Sequence, residues 1–566
     1  MRNIETAVLI VGGGPVGLST SLELASRGVK CTLVERTDGV VRNSKMGAVS
    51  VRSMETLRRW GLAERVRKGG FPEDYELSIA FCTSMAGYSL AKTPYPSMGE
   101  EPVLPQSPER RQRIPQLWFD PILSEAVRSQ PSVDVRTHTE IISFTQDAQR
   151  VLAQVRDLAS GETYTIEAQY LVACDGSGSS LRKSMGIEML GDAVLSYSTG
   201  VYLRSPNLLA RHDKGQAERY MLVGSEGTWG NLTVVDGDTY WRLTVIGPRS
   251  RVEAEDFDAD YWVKRCFGTD AIPYEIDAVL PWRRSRLVAE RYSLGRVFLA
   301  GDSAHVMAPN GGHGMNTGIG DAVNIGWKLN AVLDGWGGQG LLDSYNTERQ
   351  PIGQRNVNAA ASSFAATVPD LDFSHIEEAT PQGDAARREL GEQLEASMRQ
   401  EWEALGIILG YTYLGSPIVV PDSGTPPPDD HSHYDQSAFP GCRAPHAWLA
   451  PGQSTLDLFG EGYTLLRFGA TSPGAEAMEA AAAKRGVPLK VQTIEDPSIA
   501  ALYERSLVLV RPDGHVAWRG DAGLGLPESL DIIDTVRGSA HPETMRTTDE
   551  TPRAIDDSER FRENAR

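Results

Sequence analysis

The chain has 566 residues, 40% hydrophobic and 23% charged, with a formal net charge of −19; at about 100–200 residues per domain it has material for two to four soluble domains. So acidic a balance disfavours nucleic acid or an anionic membrane as a main partner, and no apolar stretch reaches the roughly 20 residues that span a bilayer. The strand-like run TAVLIVGGG starts at Thr6 and leaves no room for a secretory leader. Five dispersed cysteines, Cys31, Cys82, Cys174, Cys266 and Cys442, have neither metal-ligand nor CxxC spacing. A reduced, cytoplasmic chain without a bound metal is expected.

Residues 7–11 form a continuous apolar run, as a central parallel strand requires. Gly12, Gly14 and Gly17 then spell GxGxxG. The first permits a tight turn, the second lets backbone approach a pyrophosphate, and the third lets helix and strand pack closely. Pro15 suits the opening of the helix, Leu18, Leu22 and Ala25 lie at helical spacing, and Gly28 suits its end. A second strand, CTLVE, ends at Glu35, whose carboxylate can accept ribose hydroxyls; Arg36 follows it in the cofactor-binding set. This motif alone admits NAD or FAD.

Further along, YLVACDGSGSSLRKSMGI (170–187) reads as a buried strand, a turn at Asp175-Gly176, and a helix carrying Ser179 and Arg182. The alternating stretch from Glu218 to Gly247, with turns at Gly227 and Asp236-Gly237, predicts an antiparallel sheet. RVFLAGD ends a strand on Asp302, at the end where open α/β sheets bind ligands. A loop of small residues over 305–315 leads into a helix with Ile319, Val323, Ile325 and Leu329 at helical spacing. So many glycines leave a slot for a flat ring, and a helix N-terminus favours the negative charge of a reduced flavin.

Residues 414–445, rich in proline, aspartate and serine, predict a linker. YTLLRFG, PLKVQTI and SLVLVRPDGHVAWRG predict strands, with a helix at GAEAMEAAAAKRG and a hairpin turning at Asp513-Gly514. That order resembles a thioredoxin-like domain, but one without CxxC, so two-cysteine redox chemistry is excluded. The tail from 541 is charged and nearly free of large apolar residues, and is expected to be disordered or docked on a neighbour.

With these three spaced motifs (Gly12/Gly14/Gly17/Glu35; Asp175-Gly176 with Ser179 and Arg182; Gly301-Asp302 with His305, Pro309, Gly314 and Asn316) the chain resembles the p-hydroxybenzoate-hydroxylase-like FAD-dependent aromatic hydroxylases over roughly residues 1–400. It is most similar to the phenol and hydroxyphenyl-acid hydroxylase branch. The resemblance implies an α/β fold: a discontinuous Rossmann-like FAD domain (1–75, 100–185, 285–400), an inserted antiparallel-sheet substrate domain (76–99, 186–284), the linker, a thioredoxin-like domain (446–540) and the tail (541–566). It implies that Gly12, Gly14, Pro15 and Gly17 hold the pyrophosphate and Glu35 the ribose. Asp302 and Gln116 would meet the ribityl chain, and Gly314, Met315 and Asn316 the pyrimidine edge. Asp175 joins the same set. Lys45 stands where the family usually has an arginine, keeping the charge and losing the fork. Pro309 matches the proline whose carbonyl faces the substrate ring, and His313 is the polar candidate beside it. Tyr220, Trp229, Tyr240 and Arg242 are the pocket candidates from the sheet.

The implied reaction is hydroxylation of a phenol by O2 and NAD(P)H through a flavin C4a-hydroperoxide. It would involve no nucleic acid or membrane, and self-association is allowed. The absence of a second GxGxxG fits a reductant that docks transiently. Alternatives are epoxidation or Baeyer–Villiger insertion into a polyketide-like substrate, a non-catalytic FAD-binding protein, and a pyridine-nucleotide dehydrogenase. A flavin halogenase is disfavoured by the lack of WxWxIP.

Overall fold

The computed structural model describes residues 3–45, 47–247, 250–469 and 472–539, so the charged tail lies outside the described residues. Strand Asn3–Val11 sits in the middle of a mostly parallel sheet, between Cys31–Val34 and Thr163–Ala173. Val133–Arg136 extends one side, and Val297–Leu299 with Ser293–Leu294 the other. Val8, Leu9 and Ile10 are fully buried because helices cover the strand. Helix Pro15–Ala25 follows the first strand, and helix His313–Leu333 packs on it. The approach is close: a Cβ at Gly17 would lie 1.9 Å from the Gly12 carbonyl oxygen, and one at Gly318 would lie 2.4 Å from Val16. Strand ends Val11, Val34, Ala173 and Leu299 therefore open on one crevice, with two helix N-termini beside it.

A second, eight-stranded sheet runs His305–Val306, Glu275–Ala289, Met189–Arg204, Tyr240–Ile246, Gly227–Val234, Arg219–Gly224, Ile79–Cys82, Ser89–Thr93. One face carries an apolar core built from Val201, Leu203, Leu222, Leu232, Trp241 and Leu243, under helix Ala259–Phe267. Two expected boundaries shift. The division at 284/285 falls inside the unbroken strand Glu275–Ala289, and helix Pro381–Trp402 packs on this sheet, not on the first. Its Leu390, Leu394 and Met398, four residues apart, bury against Ile79, Phe81, Met221 and Val223.

The C-terminal sheet has the order Leu489–Ile494, Tyr463–Phe468, Leu507–Val510, Val516–Gly520; the first pair is parallel and the others antiparallel. The expected linker is no free tether. Ile418, Ala438, Arg443 and Ala444 are buried, and Val420, Gly441 and Ala444 donate backbone hydrogen bonds to Ala517, Val516 and Gly514. The domain docks on helices His313–Leu333 and Gln339–Thr367, where Trp327, Trp336 and Leu341 share a core with Tyr463 and Leu465. At its centre the Glu348 carboxylate accepts from Arg511, Lys328, Asn324 and Ser416, and Arg511 also pairs with Asp513.

Candidate active site

The crevice assembles the first motif in the way its glycines demand. Gly12 has φ +108°, and a Cβ there would lie 2.3 Å from the Cys174 carbonyl oxygen, so the first turn and the Asp175-Gly176 turn touch through backbone. Around Gly14 nothing lies within 4 Å of a Cβ, which leaves approach to the helix N-terminus open. That helix begins at Pro15 with no side-chain cap, so its first amides are available to an anion. Glu35 accepts from the Gly13 N–H at 2.7 Å and from the Thr37 N–H and hydroxyl at 2.8 and 2.6 Å. Burial alone would raise its carboxyl, but those bonds from Thr37 and Gly13 hold it below the usual range. The neighbouring Arg36 is exposed, and its charge acts in the same direction. Asp175 caps the short helix Ser180–Ser184 through a 3.3 Å bond from the Leu181 N–H, while its Oδ1 is buried without a partner. Arg182 reaches the Ser303 carbonyl at 3.2 Å, tying the second motif to the third.

The third motif stands opposite. Asp302 is exposed to the groove, yet enough protein surrounds it that burial raises its carboxyl against the opposing fields of His305 and Lys45. Lys45 is exposed, and its charge lowers both the Asp302 and the Asp120 carboxyl against burial. Gln116 joins this group from helix Gln116–Arg128: its Oε1 accepts from the Lys45 N–H at 3.2 Å and its amide donates to Asp120 at 2.9 Å. Asp120 lies one turn along that helix. Burial pushes its carboxyl up to about 7, and its Oδ1 has no partner. Motif reading missed this residue, although its spacing from Gln116 was a usable signal. His305 is buried and bonded to Asp321 at 2.8 Å; Asp321 also accepts from the Gly301 N–H and from Arg349, which fixes the turn that presents Asp302.

Helix His313–Leu333 starts at Gly312, φ +65°, without a side-chain cap, so the amides of Gly314 and Met315 are free to face an anionic ring edge. Asn316 does something else with its side chain. It accepts from the Ser50 N–H and the Ser53 hydroxyl and donates to the carbonyls of Ala48 and Gly312, so all its capacity goes into bracing the helix start. The exposed Pro309 has a carbonyl that accepts from the Gly312 N–H at 3.1 Å, leaving one lone pair. The His313 ring is buried and lines a cavity with Gly311, Asn316, Asn324, Asn356, Tyr411 and His515. Burial holds it neutral, with a pKa pushed down to about 4, and its Nε2 has no hydrogen-bond partner.

The candidates from the second sheet divide between its faces. Tyr220 is fully buried in the apolar core beside Trp241, its hydroxyl donating to the Gly215 carbonyl. Trp229 sits in that core too, because a bulge between Leu222 and Val223 in the partner register turns it over; its ring meets Trp262 at 5.4 Å. Neither reaches the crevice. Arg242 and Tyr240 lie on the other face, where Arg242 donates to the carbonyls of Ser44 and Lys45 at 3.2 and 3.4 Å, and Tyr240 to the Asn43 amide oxygen at 3.4 Å. This face therefore closes over the Lys45 loop. Glu401, unsuspected in the sequence, anchors the opposite side: its buried carboxylate accepts from Arg219 at 2.9 Å and from the Asn310 amide and Gly311 N–H at 3.3 Å.

The donor set fits FAD: two uncapped helix starts, an open glycine turn, and the Glu35 and Asp302 carboxylates beyond two strand ends. Among the described residues, no cluster of histidine, cysteine and carboxylate side chains could hold a metal, and no helix is long and apolar enough to cross a membrane. The family model described as an FAD binding domain matches residues 5–360, and that of the aromatic-ring hydroxylase C-terminal domain matches residues 437–534. The chain is 34% identical to 4-methyl-5-nitrocatechol 5-monooxygenase of a Burkholderia species, over 94% of this chain and 97% of the relative. Among solved structures, RebC with bound 7-carboxy-K252c matches with a TM-score of 0.88 at 40% identity, covering 95% of this chain and 100% of that one. Aklavinone-11 hydroxylase in complex with FAD and aklavinone matches with a TM-score of 0.80 at 29% identity, covering 95% and 99%.

Proposed function

The chain belongs to the FAD-dependent aromatic-ring hydroxylases, and within that family we propose that it hydroxylates a phenolic ring held between the Pro309 loop and the polar face of the second sheet. FAD, when bound, takes two electrons from NAD(P)H and activates O2 for transfer to the ring. The protein's own part is position, dryness and charge. Gly12, Gly14, Pro15 and Gly17 would hold the pyrophosphate at the first helix start. Glu35 would hold the ribose, and Asp302, Lys45 and Gln116 the ribityl side. The free amides of Gly314 and Met315 would stabilise negative charge on the pyrimidine edge, with Asn316 bracing them. Of the four pocket candidates from the sheet, Arg242 and Tyr240 are the two that lie on the face toward the crevice.

The observation that carries this reading is the stacking of two dissimilar surfaces. A glycine-rich loop ending in an uncapped helix start is joined through Glu401 to a sheet face that carries Tyr202, Arg219, Tyr240 and Arg242 beside its apolar side chains. One surface suits a flat, electron-accepting ring and the other a polar aromatic one. Closure of the sheet by its ladder to His305–Val306 would keep water from the space between them.

The test is oxidation of NADH and NADPH by the FAD-loaded protein with a panel of phenols, with hydroxylated product measured against hydrogen peroxide. Phenol-stimulated oxidation that yields hydroxylated product is expected. Stimulated oxidation yielding peroxide alone, or oxygenation of ketones in place of phenols, overturns the reading.

A further inference from the structure

Arg284 is 3% exposed and projects from strand Glu275–Ala289. Its Nη1 donates to the hydroxyls of Ser196, at 3.2 Å, and Ser198. Its Nε is buried with no partner, no hydrogen bond leaves Nη2, and no carboxylate lies within ion-pair distance among the described residues. The guanidinium is packed between two rings, with its carbon 4.4 Å from the Trp282 centroid and 4.6 Å from that of Phe364. Cation–π contact offsets part of the cost of burial, but a buried charge without a counter-ion is among the most expensive groups a fold can hold.

Its location ties that cost to the crevice. Arg284 alternates with Ala278, Leu280 and Trp282, on the face that also carries Tyr202 and Arg242. Three residues further on, the strand ladders with His305–Val306, so Arg284 stands where the chain turns toward Pro309. Glu401, which accepts from the Gly311 N–H of that turn, exerts an opposing negative field on it, while Arg242 and Arg219 add positive charge. Burial brings the Arg284 pKa down to about 9, which leaves it charged at neutral pH. Arg242 repeats the pattern more weakly, with its Nε also buried and unpartnered.

The free edge of Arg284, Nε and Nη2, is the side of a guanidinium that meets both oxygens of a carboxylate. We propose that Arg284 is a specificity-determining residue that binds a carboxylate on the aromatic substrate, and that the acid missing from this part of the fold is supplied by the substrate. This rests on the reading of the site as an aromatic hydroxylase pocket, and it narrows the substrate from phenols at large to phenolic acids.

The test uses FAD-loaded protein and two matched probe pairs, salicylate against phenol and 3-hydroxy-2-naphthoate against 2-naphthol, titrated by the perturbation of flavin absorbance. Binding needs no turnover, so an inactive protein that still prefers the acids would count against the hydroxylation reading and not against the subsite. Wild type should bind at least one acid about tenfold or more tighter than its partner phenol. Arg284→Leu should bring that ratio to about one, and Arg284→Lys, with a charge but no fork, should fall between. Flavin content per chain checks that the variants are folded. If neither acid is preferred by wild type, if neither acid binds, or if Arg284→Leu keeps the full ratio, the proposal is overturned. The wild-type ratio decides the matter even where the leucine variant does not fold.

Discussion

Buried charge is treated in opposite ways at the two ends of helix His313–Leu333. Where the C-terminal domain docks, every charge has partners. Glu348 takes five donors from Arg511, Lys328, Asn324 and Ser416, and Glu55 takes Arg443, Arg52 and Ser107. At the crevice, among the described residues, Asp120 and Asp302 have no cation within ion-pair distance, and neither Arg284 nor Arg242 has an acid. The carboxyl groups register the difference. Despite burial, opposing cations hold Glu348, Glu55 and Asp513 below the usual range, while burial dominates at Asp120 and Asp302 and raises both. A satisfied buried charge holds the fold together; an unsatisfied one marks where something else must bind.

The hardest way to break the docking side is Glu348→Gln, which places an amide N–H among five donors. A loss of about 3–5 kcal/mol is expected, read as an earlier denaturant midpoint for the FAD-loaded protein; an unmoved midpoint would show that the network contributes nothing. At the crevice the sign reverses. With a folded pKa of about 7, Asp120 carries stability that is fully present below its unfolded pKa of about 3.9 and is lost as pH rises toward 7. Asp120→Asn lacks that loss. In the FAD-free protein, its stability relative to wild type should climb between about pH 4 and 7 toward a ceiling of about 4 kcal/mol, then level off. Glu348, held low, gives the opposite slope: its contribution is present above its unfolded pKa and lost as pH falls. Parallel denaturant titrations, across about pH 4–7 for Asp120→Asn and below about pH 4.5 for Glu348→Gln, measure both slopes, and slopes of equal sign would collapse the comparison.

The difference between the two ends also explains what the sequence discloses. Gly12, Gly14, Gly17, Glu35, Asp175 and Asp302 are legible because each sits at a strand end or in the turn and helix start that follow it along the chain. The face of the second sheet is not legible in that way. Both of its faces are covered by protein, so alternation gives no inside and outside, and the bulge beside Trp229 reverses the count where a pocket residue was sought. Tyr220 reads as a pocket aromatic and proves to be core, while Arg284 reads as one basic residue among three in WRRSR. Glu401 comes from a helix that reads as belonging to the first domain and packs on the second. His313 is hard to read for a finer reason: a position at a helix start fixes where its backbone lies, but not that its ring is buried among Asn324, Asn356 and His515.

Glu401 is the exception that sharpens the comparison, a paired carboxylate on the crevice side. It binds Arg219 of the sheet together with the Asn310 side-chain amide and the Gly311 N–H, so it couples the second sheet to the loop that carries Pro309. If its task is to keep that joint shut, Glu401→Gln should leave flavin content intact, because none of the cofactor contacts proposed above passes through it. The amide keeps one acceptor and loses the charge-assisted bond to Arg219, a loss of about 1.5 kcal/mol or roughly tenfold. The effect should appear as leakage: substrate-stimulated NAD(P)H oxidation continues, while the ratio of hydroxylated product to hydrogen peroxide falls by up to about that factor as water gains entry. A variant that melts earlier with its product ratio unchanged would put Glu401 with the docking acids, and pairing alone would then say nothing about which side of the helix a charge serves.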